Sequence, residues 1–165
     1  TGRFVVQLAK LVGNHVVGTC SSDEKVEYLK SLGCDCVINY TKESVASVLS
    51  SEYPKGLNFI FEAVGGDMFK AAVDNITTPA AYKGGNANQL LFREVYPTLL
   101  MKSASLRGFI LLNHMGLVPA HVEKLVALIQ EGKLNADVDP TVFKGLEAIP
   151  EAIDYMYAKK NIGKL

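Results

Sequence analysis

The run His15–Asn39 reads HVVGTC, then SSDEKVEYLKSLG, then CDCVIN, and its two changes of period decide the fold. His15–Cys20 is short and β-branched, as a buried strand is. Ser21 and Glu24 stand at the spacing of a capping box and open a helix. Val26, Leu29 and Leu32 then recur on one helical face until Gly33 stops it. Cys36–Asn39 returns to strand.

The same alternation extends in both directions. Upstream, Arg3–Val12 carries Phe4, Val5, Leu8, Leu11 and Val12 as a helical stripe, ended by Gly13-Asn14. Downstream, Glu43–Ser51 predicts a helix with Val45, Val48 and Leu49 inward. Leu57–Ala63 (LNFIFEA) predicts a strand closed by Val64-Gly65-Gly66, and Asp67–Val73 a further helix. Strands alternating with helices of this length require crossover connections, hence a parallel sheet covered on both faces. The predicted class is a doubly wound α/β fold, incomplete at both ends.

One stretch breaks the pattern. Asn75–Leu90 reads NITTPAAYKGGNANQL, with no run suited to a central strand, so the strand due near Thr77–Gly84 is expected to be missing. The helical signal resumes at Val95–Met101, and Ser105–Leu112 (SLRGFILL) predicts a strand. Ala120–Gln130 predicts an amphipathic helix with Val122, Leu125, Val126 and Ile129 on one side. Gly145–Tyr157 predicts another, with Pro150 opening its second half. Asn161–Leu165 reads as the beginning of a further strand.

Bulk composition narrows the function classes. The 165 residues suit one domain with a sizeable core, and 48% hydrophobic against 21% charged residues fits a folded globular chain. Seventeen basic and seventeen acidic residues cancel, which argues against a nucleic-acid partner. No apolar run reaches the roughly 20 residues that span a bilayer, so no membrane partner is expected. Cys20, Cys34 and Cys36 form no paired pattern, which argues for a reducing compartment. The C-x-C spacing of Cys34 and Cys36, with no histidine close by in sequence, reads as small apolar residues at a strand edge rather than as metal ligands.

Ligands of a doubly wound sheet bind at the carboxyl ends of its strands. Gly2 stands where a turn would enter the first helix and offer backbone N–H groups to a pyrophosphate. The strand ending at Cys20 leads into Ser21-Ser22, neutral and hydroxyl-rich, with Lys25 one turn later. An acidic residue at this position would bind ribose hydroxyls, whereas hydroxyls and an ammonium suit a 2′-phosphate. Two compatible readings stand side by side: Ser21 caps a helix and Lys25 is a solvated charge, or the group grips a phosphate. His114 follows a predicted strand at the ligand end and is a candidate site residue. His15 opens a strand, and His121 is expected to be exposed on its helix. Asp137 and Asp139 flank a turn and read as structural. No Ser-His-Asp arrangement, P-loop or carboxylate pair is visible.

Several stretches together resemble the quinone reductase and prostaglandin reductase branch of the medium-chain dehydrogenase/reductase superfamily. They are Gly18–Lys25, Leu29–Asp35, Ile38-Asn39-Tyr40, Phe61–Gly66, Lys102–Ser105, Gly108-Phe109, Leu112-Asn113-His114, Gly145–Glu147, Tyr155–Tyr157 and Lys160–Lys164. The resemblance spans the chain except Thr77–Phe92. It implies a Rossmann-type NADP-binding domain, with NADPH as cofactor and Lys25 and Tyr40 on its 2′-phosphate. Val64 and Gly65 would lie beside the nicotinamide ribose. Ile110, Leu111 and Leu112 would meet the carboxamide with backbone groups, and Asn161 would reach the phosphates. The family has a tyrosine where this chain has His114, which leaves the catalytic residue open. This branch lacks metal ligands, so no metal is expected.

The implied reaction is zinc-independent, NADPH-dependent reduction of the C=C bond of α,β-unsaturated ketones, such as 15-oxoprostaglandins. Quinone reduction, or a non-catalytic NADPH-binding module, are the alternatives. The family also carries an N-terminal GroES-like catalytic domain that is absent here, so residues 1–165 are expected to be a cofactor-binding domain, inactive alone. A homodimer through edge strands is implied, as is an intracellular location, peroxisomal or cytoplasmic. The closing Gly163-Lys164-Leu165 superficially matches a peroxisomal address but reads better as an interrupted strand.

Overall fold

The computed structural model describes residues 1–84 and 92–165, which group into two compact units. One joins Thr1–Val37 to Glu123–Leu165, and the other is Ile38–Val122. The elements follow the order α1 (Gly2–Leu11), β1 (Val17–Cys20), α2 (Asp23–Ser31), β2 (Cys36–Asn39), α3 (Val45–Glu52), β3 (Leu57–Glu62) and α4 (Gly66–Asp74). Then come β4 (Ile76–Gly84), α5 (Phe92–Met101), β5 (Ser105–Arg107), a 3₁₀ turn Leu111–Leu117, α6 (Val118–Gln130), a second 3₁₀ turn Leu146–Ala148 and α7 (Ile149–Tyr157). The predicted alternation of helix and strand is therefore present, and Pro150 opens α7 as expected.

Strand β1 pairs with β2 in a two-stranded sheet. Gly18 in β1 faces the Cys34 thiol so closely that a Cβ would lie 2.9 Å from its sulfur, which explains a glycine inside a strand. In α1 the buried positions are Val6 and Gln7, while Leu8, Leu11 and Val12 of the predicted stripe stay exposed. Gln7 tolerates burial because its carboxamide is satisfied by Asn135: Nε2 donates to the Asn135 carbonyl at 3.0 Å and Oε1 accepts the Asn135 N–H at 2.6 Å. Lys10 anchors the other end of α1, its ammonium 2.8 Å from the Asp35 carboxylate, which also accepts the Val16 N–H. Those two donors hold the Asp35 carboxyl below its ordinary range.

In the second unit β3, β4 and β5 form a parallel sheet with β4 in the middle. This corrects the expectation that the strand near Thr77–Gly84 is missing. The register explains the misreading. Leu57 opposes Ile76, but Phe59 opposes Ala81, so β4 carries extra residues between the two pairs. Pro79 falls in that irregularity, where no ladder N–H is required of it. The remainder of the broken pattern, residues 85–91, lies outside the described residues. β5 is shorter than predicted: it ends at Arg107, and Leu111 and Leu112 begin a 3₁₀ turn instead. Helix α4 packs Phe69, Ala72 and Val73 against Ile76 and Val95, with Ile60, Leu99 and Ala104 at the margin, and this is the core of the unit. Burying side chains of this size contributes about 1.5–3 kcal/mol each.

Candidate functional site

The carboxyl end of β1 leads into α2 through Ser21 and Ser22. The helix cap is Ser22, whose hydroxyl accepts the Lys25 N–H at 3.4 Å, and not Ser21 as the capping-box spacing suggested. The helix starts one residue later than the pattern implied, because either serine can supply the cap oxygen. The shift separates two roles, since Ser22 is spent on the helix while Ser21 has no hydrogen-bond partner among the described residues. Lys25, in the first turn of α2, donates from Nζ to the carbonyl of Lys159 at 2.5 Å.

That contact brings the segment after α7 to the β1–α2 turn. Lys159 has φ +56, a left-handed conformation that costs a non-glycine residue energy and is held by its surroundings. Beyond it, the Asn161 amide donates to the Gly163 carbonyl at 2.8 Å. Asp139 fixes the rest of the segment: its carboxylate accepts the Ile162 N–H at 2.7 Å and the Thr141 N–H at 2.9 Å, and its own N–H donates to Lys164. Burial alone would raise the Asp139 carboxyl, but these backbone donors outweigh it and hold the group below the ordinary carboxylate range. Val138 and Lys164 form a parallel bridge, the only strand-like trace of the expected terminal strand among the described residues. Gly2 opens α1 without a side-chain cap, and Arg3 next to it reaches Gly163. Of the predicted residues in the first unit, Lys25 touches the segment that carries Asn161, Ser21 and Ser22 precede Lys25 in the same turn, and Gly2 adjoins Arg3, which reaches that segment at Gly163.

In the second unit the predicted residues follow strand ends. Tyr40 succeeds β2 in a turn shaped by Asn39, whose side-chain oxygen accepts both the N–H and the hydroxyl of Thr41. Val64 and Gly65 succeed β3. Both of their N–H groups donate to the buried carboxylate of Glu62, at 2.8 Å for Gly65. Gly65 sits at φ +83, ψ −166, a region open essentially to glycine, and caps α4. Ile110, Leu111 and Leu112 follow β5 and are exposed. Because β3 and β5 both run parallel to β4, the Val64-Gly65 turn and the Gly108–Leu112 segment leave the sheet at the same end. The His114 imidazole stacks on Phe109, centroids 5.1 Å apart and planes 9° from parallel. His121 is exposed on α6, as expected.

Sequence reading missed Glu62, Lys159 and the anchoring part played by Asp139. Glu62 left a signal, an acid two residues before a Val-Gly-Gly turn. Lys159 left none, because its partner is 134 residues away; Asp139 was legible as structural at its local turn with Thr141, but not in its hold on Ile162, 23 residues away. A cavity of about 340 Å³, bordered by Tyr53, Lys55, Gly56, Asn75 and Lys102, lies at the amino ends of β3 and β4 and contains none of these residues. The carboxyl-end rule for such sheets therefore takes precedence over cavity size.

The donor set for a metal ion is lacking: no group of three or more His, Cys, Asp or Glu side chains could hold one among the described residues. Burial pushes the Cys34 thiol up, away from the thiolate a metal needs, and its sulfur is engaged with the Val16 and Cys36 carbonyls. No described helix is long and apolar enough to cross a membrane.

Parallel strands crossed by helices, with polar turns gathered at strand ends, define a Rossmann-type α/β nucleotide-binding domain. Residues 1–131 match the zinc-binding dehydrogenase family, and the chain belongs to that family. It is 45% identical to prostaglandin reductase-3 of Mus musculus over 181 residues, covering 100% of this chain and 48% of that protein. It is 39% identical to a probable quinone oxidoreductase of Leishmania amazonensis, covering 100% of this chain and 52% of that protein. CurA from Vibrio vulnificus, solved in complex with NADPH, superposes with a TM-score of 0.83 at 27% identity over 99% of this chain and 52% of that one. The chain thus spans about half the length of the relatives it matches.

Proposed function

We propose that this chain binds NADPH and that the complete protein reduces the C=C bond of α,β-unsaturated ketones, of which 15-oxoprostaglandins are one class. The observation that carries the reading is the β1–α2 turn: the strand end Cys20-Ser21-Ser22 carries no carboxylate, Ser21 keeps a free hydroxyl, and the Lys25 ammonium stands in the first turn of α2. A 2′-phosphate is a dianion that such a turn accepts, and a ribose diol is poorly matched to it. The NADPH-bound CurA structure supports the same choice of cofactor, and the mouse prostaglandin reductase supports the reaction.

The residues present suit the cofactor. In the first unit Lys25 and Ser21 take the 2′-phosphate, while Gly2 and Asn161 face the phosphates. For the second unit, the family resemblance assigns Tyr40 to the 2′-phosphate, Val64 and Gly65 to the nicotinamide ribose, and the backbone groups of Ile110–Leu112 to the carboxamide. NADPH, when bound, supplies the hydride that reaches the β-carbon of the enone. The chain's own work is orientation and electrostatics: Glu62 fixes the Val64-Gly65 backbone, and Asp139 fixes the segment that carries Asn161. The α-carbon proton comes from water or a hydroxyl, and His114 packs beside the substrate. Residues 1–165 act as the cofactor-binding half, with a GroES-like domain completing the active site, in a protein that dimerises through edge strands in the peroxisome or cytoplasm. Quinone reduction uses the same grip and is the second reading, favoured by the Leishmania relative.

The test is consumption of NADPH by the full-length protein, offered simple enones and quinones in parallel. Enones turned over faster than quinones support the proposal. Turnover of quinones alone replaces it with the second reading, and no turnover of either rejects both.

A further inference from the structure

Lys25 is not the only cation on the segment that carries Asn161. Arg3 lies in the first turn of α1 and donates from Nη1 to the Tyr28 hydroxyl at 3.0 Å. Tyr28 is three residues beyond Lys25 on α2, so the two side chains share a face of that helix. The Arg3 guanidinium also presses on Gly163: a Cβ there would lie 2.7 Å from Nη1. Glycine at φ +87 leaves room for it. Lys25 therefore touches the segment at Lys159, and Arg3 touches it at Gly163, with Asn161 between them.

Arg3 is half-buried yet has no carboxylate within ion-pair distance among the described residues. Its remaining contact is with the face of Phe4, 5.1 Å from the ring centroid. One of its five N–H donors is spent on Tyr28, which leaves most of a planar fork uncommitted. A half-buried guanidinium without an anion is unfavourable unless a ligand supplies one. The 2′-phosphate and the pyrophosphate of NADPH hang from the same adenosine ribose, so a protein holding both needs two cationic groups close together. Lys25 and Tyr28-bound Arg3 meet that demand.

We propose that Arg3 is a second phosphate-binding cation of the dinucleotide site, taking the pyrophosphate while Lys25 takes the 2′-phosphate. The proposal rests on the cofactor reading above. It divides the two phosphate groups between two named residues, and that division is measurable with three nucleotides. NADPH carries both groups, NADH only the pyrophosphate, and 2′-AMP only the 2′-phosphate.

The experiment is calorimetric titration of the full-length protein, wild type and the variants Arg3→Gln, Arg3→Lys and Lys25→Gln, with each nucleotide. Arg3→Gln is expected to weaken NADPH and NADH by the same factor, about tenfold or more, and to leave 2′-AMP unchanged. Arg3→Lys, which keeps the charge, should recover part of the loss. Lys25→Gln should do the reverse, weakening NADPH and 2′-AMP while sparing NADH. If Arg3→Gln leaves NADH affinity intact, or if Arg3→Gln and Arg3→Lys both weaken 2′-AMP as much as NADH, Arg3 is a prop for Tyr28 and Gly163 and the proposal is overturned. A protein that binds none of the three overturns the cofactor reading as well. One in which Lys25 behaves as expected and Arg3 does not overturns this proposal alone.

Discussion

The Lys25 ammonium donates to the carbonyl oxygen of Lys159 across 134 residues of sequence. The side chain proposed to read the 2′-phosphate thus also touches the segment that presents Asn161. That segment does not depend on Lys25 alone. Asp139 holds it at Ile162 and Lys164, and the Asn161 side chain closes on Gly163. Removing the ammonium should therefore change what the turn recognises without dismantling the segment.

The two serines after β1 should separate cleanly. Ser22→Ala removes the cap of α2 and is expected to cost about 0.5–2 kcal/mol in urea unfolding. Ser21→Ala should leave stability within about 0.5 kcal/mol of wild type, because its hydroxyl bonds nothing in the described structure. The effect of Ser21→Ala should fall on NADPH affinity instead. Equal losses of stability in both variants would contradict the cap assignment.

Asp139 should make the protein sensitive to acid. Its folded-state carboxyl is held below the ordinary value, so its contribution is present in full above about pH 4 and is lost as pH falls through the lower folded value. Asp139→Asn replaces the anion that accepts the Ile162 and Thr141 N–H groups, and a loss of about 1–3 kcal/mol is expected at neutral pH. Denaturant midpoints measured against pH should show the two proteins converging below the carboxylate range. A gap of constant size down to the lowest pH would contradict the assignment.

Gly65→Ala should destabilise by about 1–2 kcal/mol, since a Cβ is disfavoured at positive φ. The Val64-Gly65 N–H pair would also lose its fit to Glu62. Thermal unfolding checks the first effect, and NADPH affinity of the folded fraction checks the second. A variant as stable as wild type would show that the turn relaxes to another conformation.

His114→Phe keeps a ring to stack on Phe109 while removing any proton the imidazole could deliver. Turnover with an enone should fall by less than about tenfold, since general acid catalysis contributes about 10²–10⁴ where a side chain supplies the proton. A fall of a hundredfold or greater, with unchanged NADPH affinity, would identify His114 as the donor.

How far the sequence carries is clear from particular places. Periodicity located β1, α2, β2 and β3 because each is a local pattern of buried residues. It failed at β4, where the extra residues opposite Leu57–Phe59 absorb Pro79 and spoil the run of apolar residues while the ladder on both sides survives. It overextended β5, because Phe109–Leu112 are apolar enough for a strand yet stay exposed, with Leu111 and Leu112 opening a 3₁₀ turn. The division into two units left no mark in composition. At the candidate site the neutral β1–α2 turn and Lys25 were legible, since one residue's chemistry suffices there. The pinning of Asn161 by Asp139 and Lys25 was not, because it depends on tertiary contacts between distant parts of the chain.

The central claim is NADPH recognition at Lys25, and fluorescence titration of the full-length protein with NADPH and NADH, wild type and Lys25→Ala, tests it most directly. Losing one charge-assisted phosphate contact should cost roughly 1.5–3 kcal/mol, on the order of ten- to a hundredfold in affinity. Wild type is expected to prefer NADPH by that margin, and Lys25→Ala to lower NADPH affinity to the level of NADH. Equal affinities in wild type, or a preference for NADPH that survives the substitution, would contradict it.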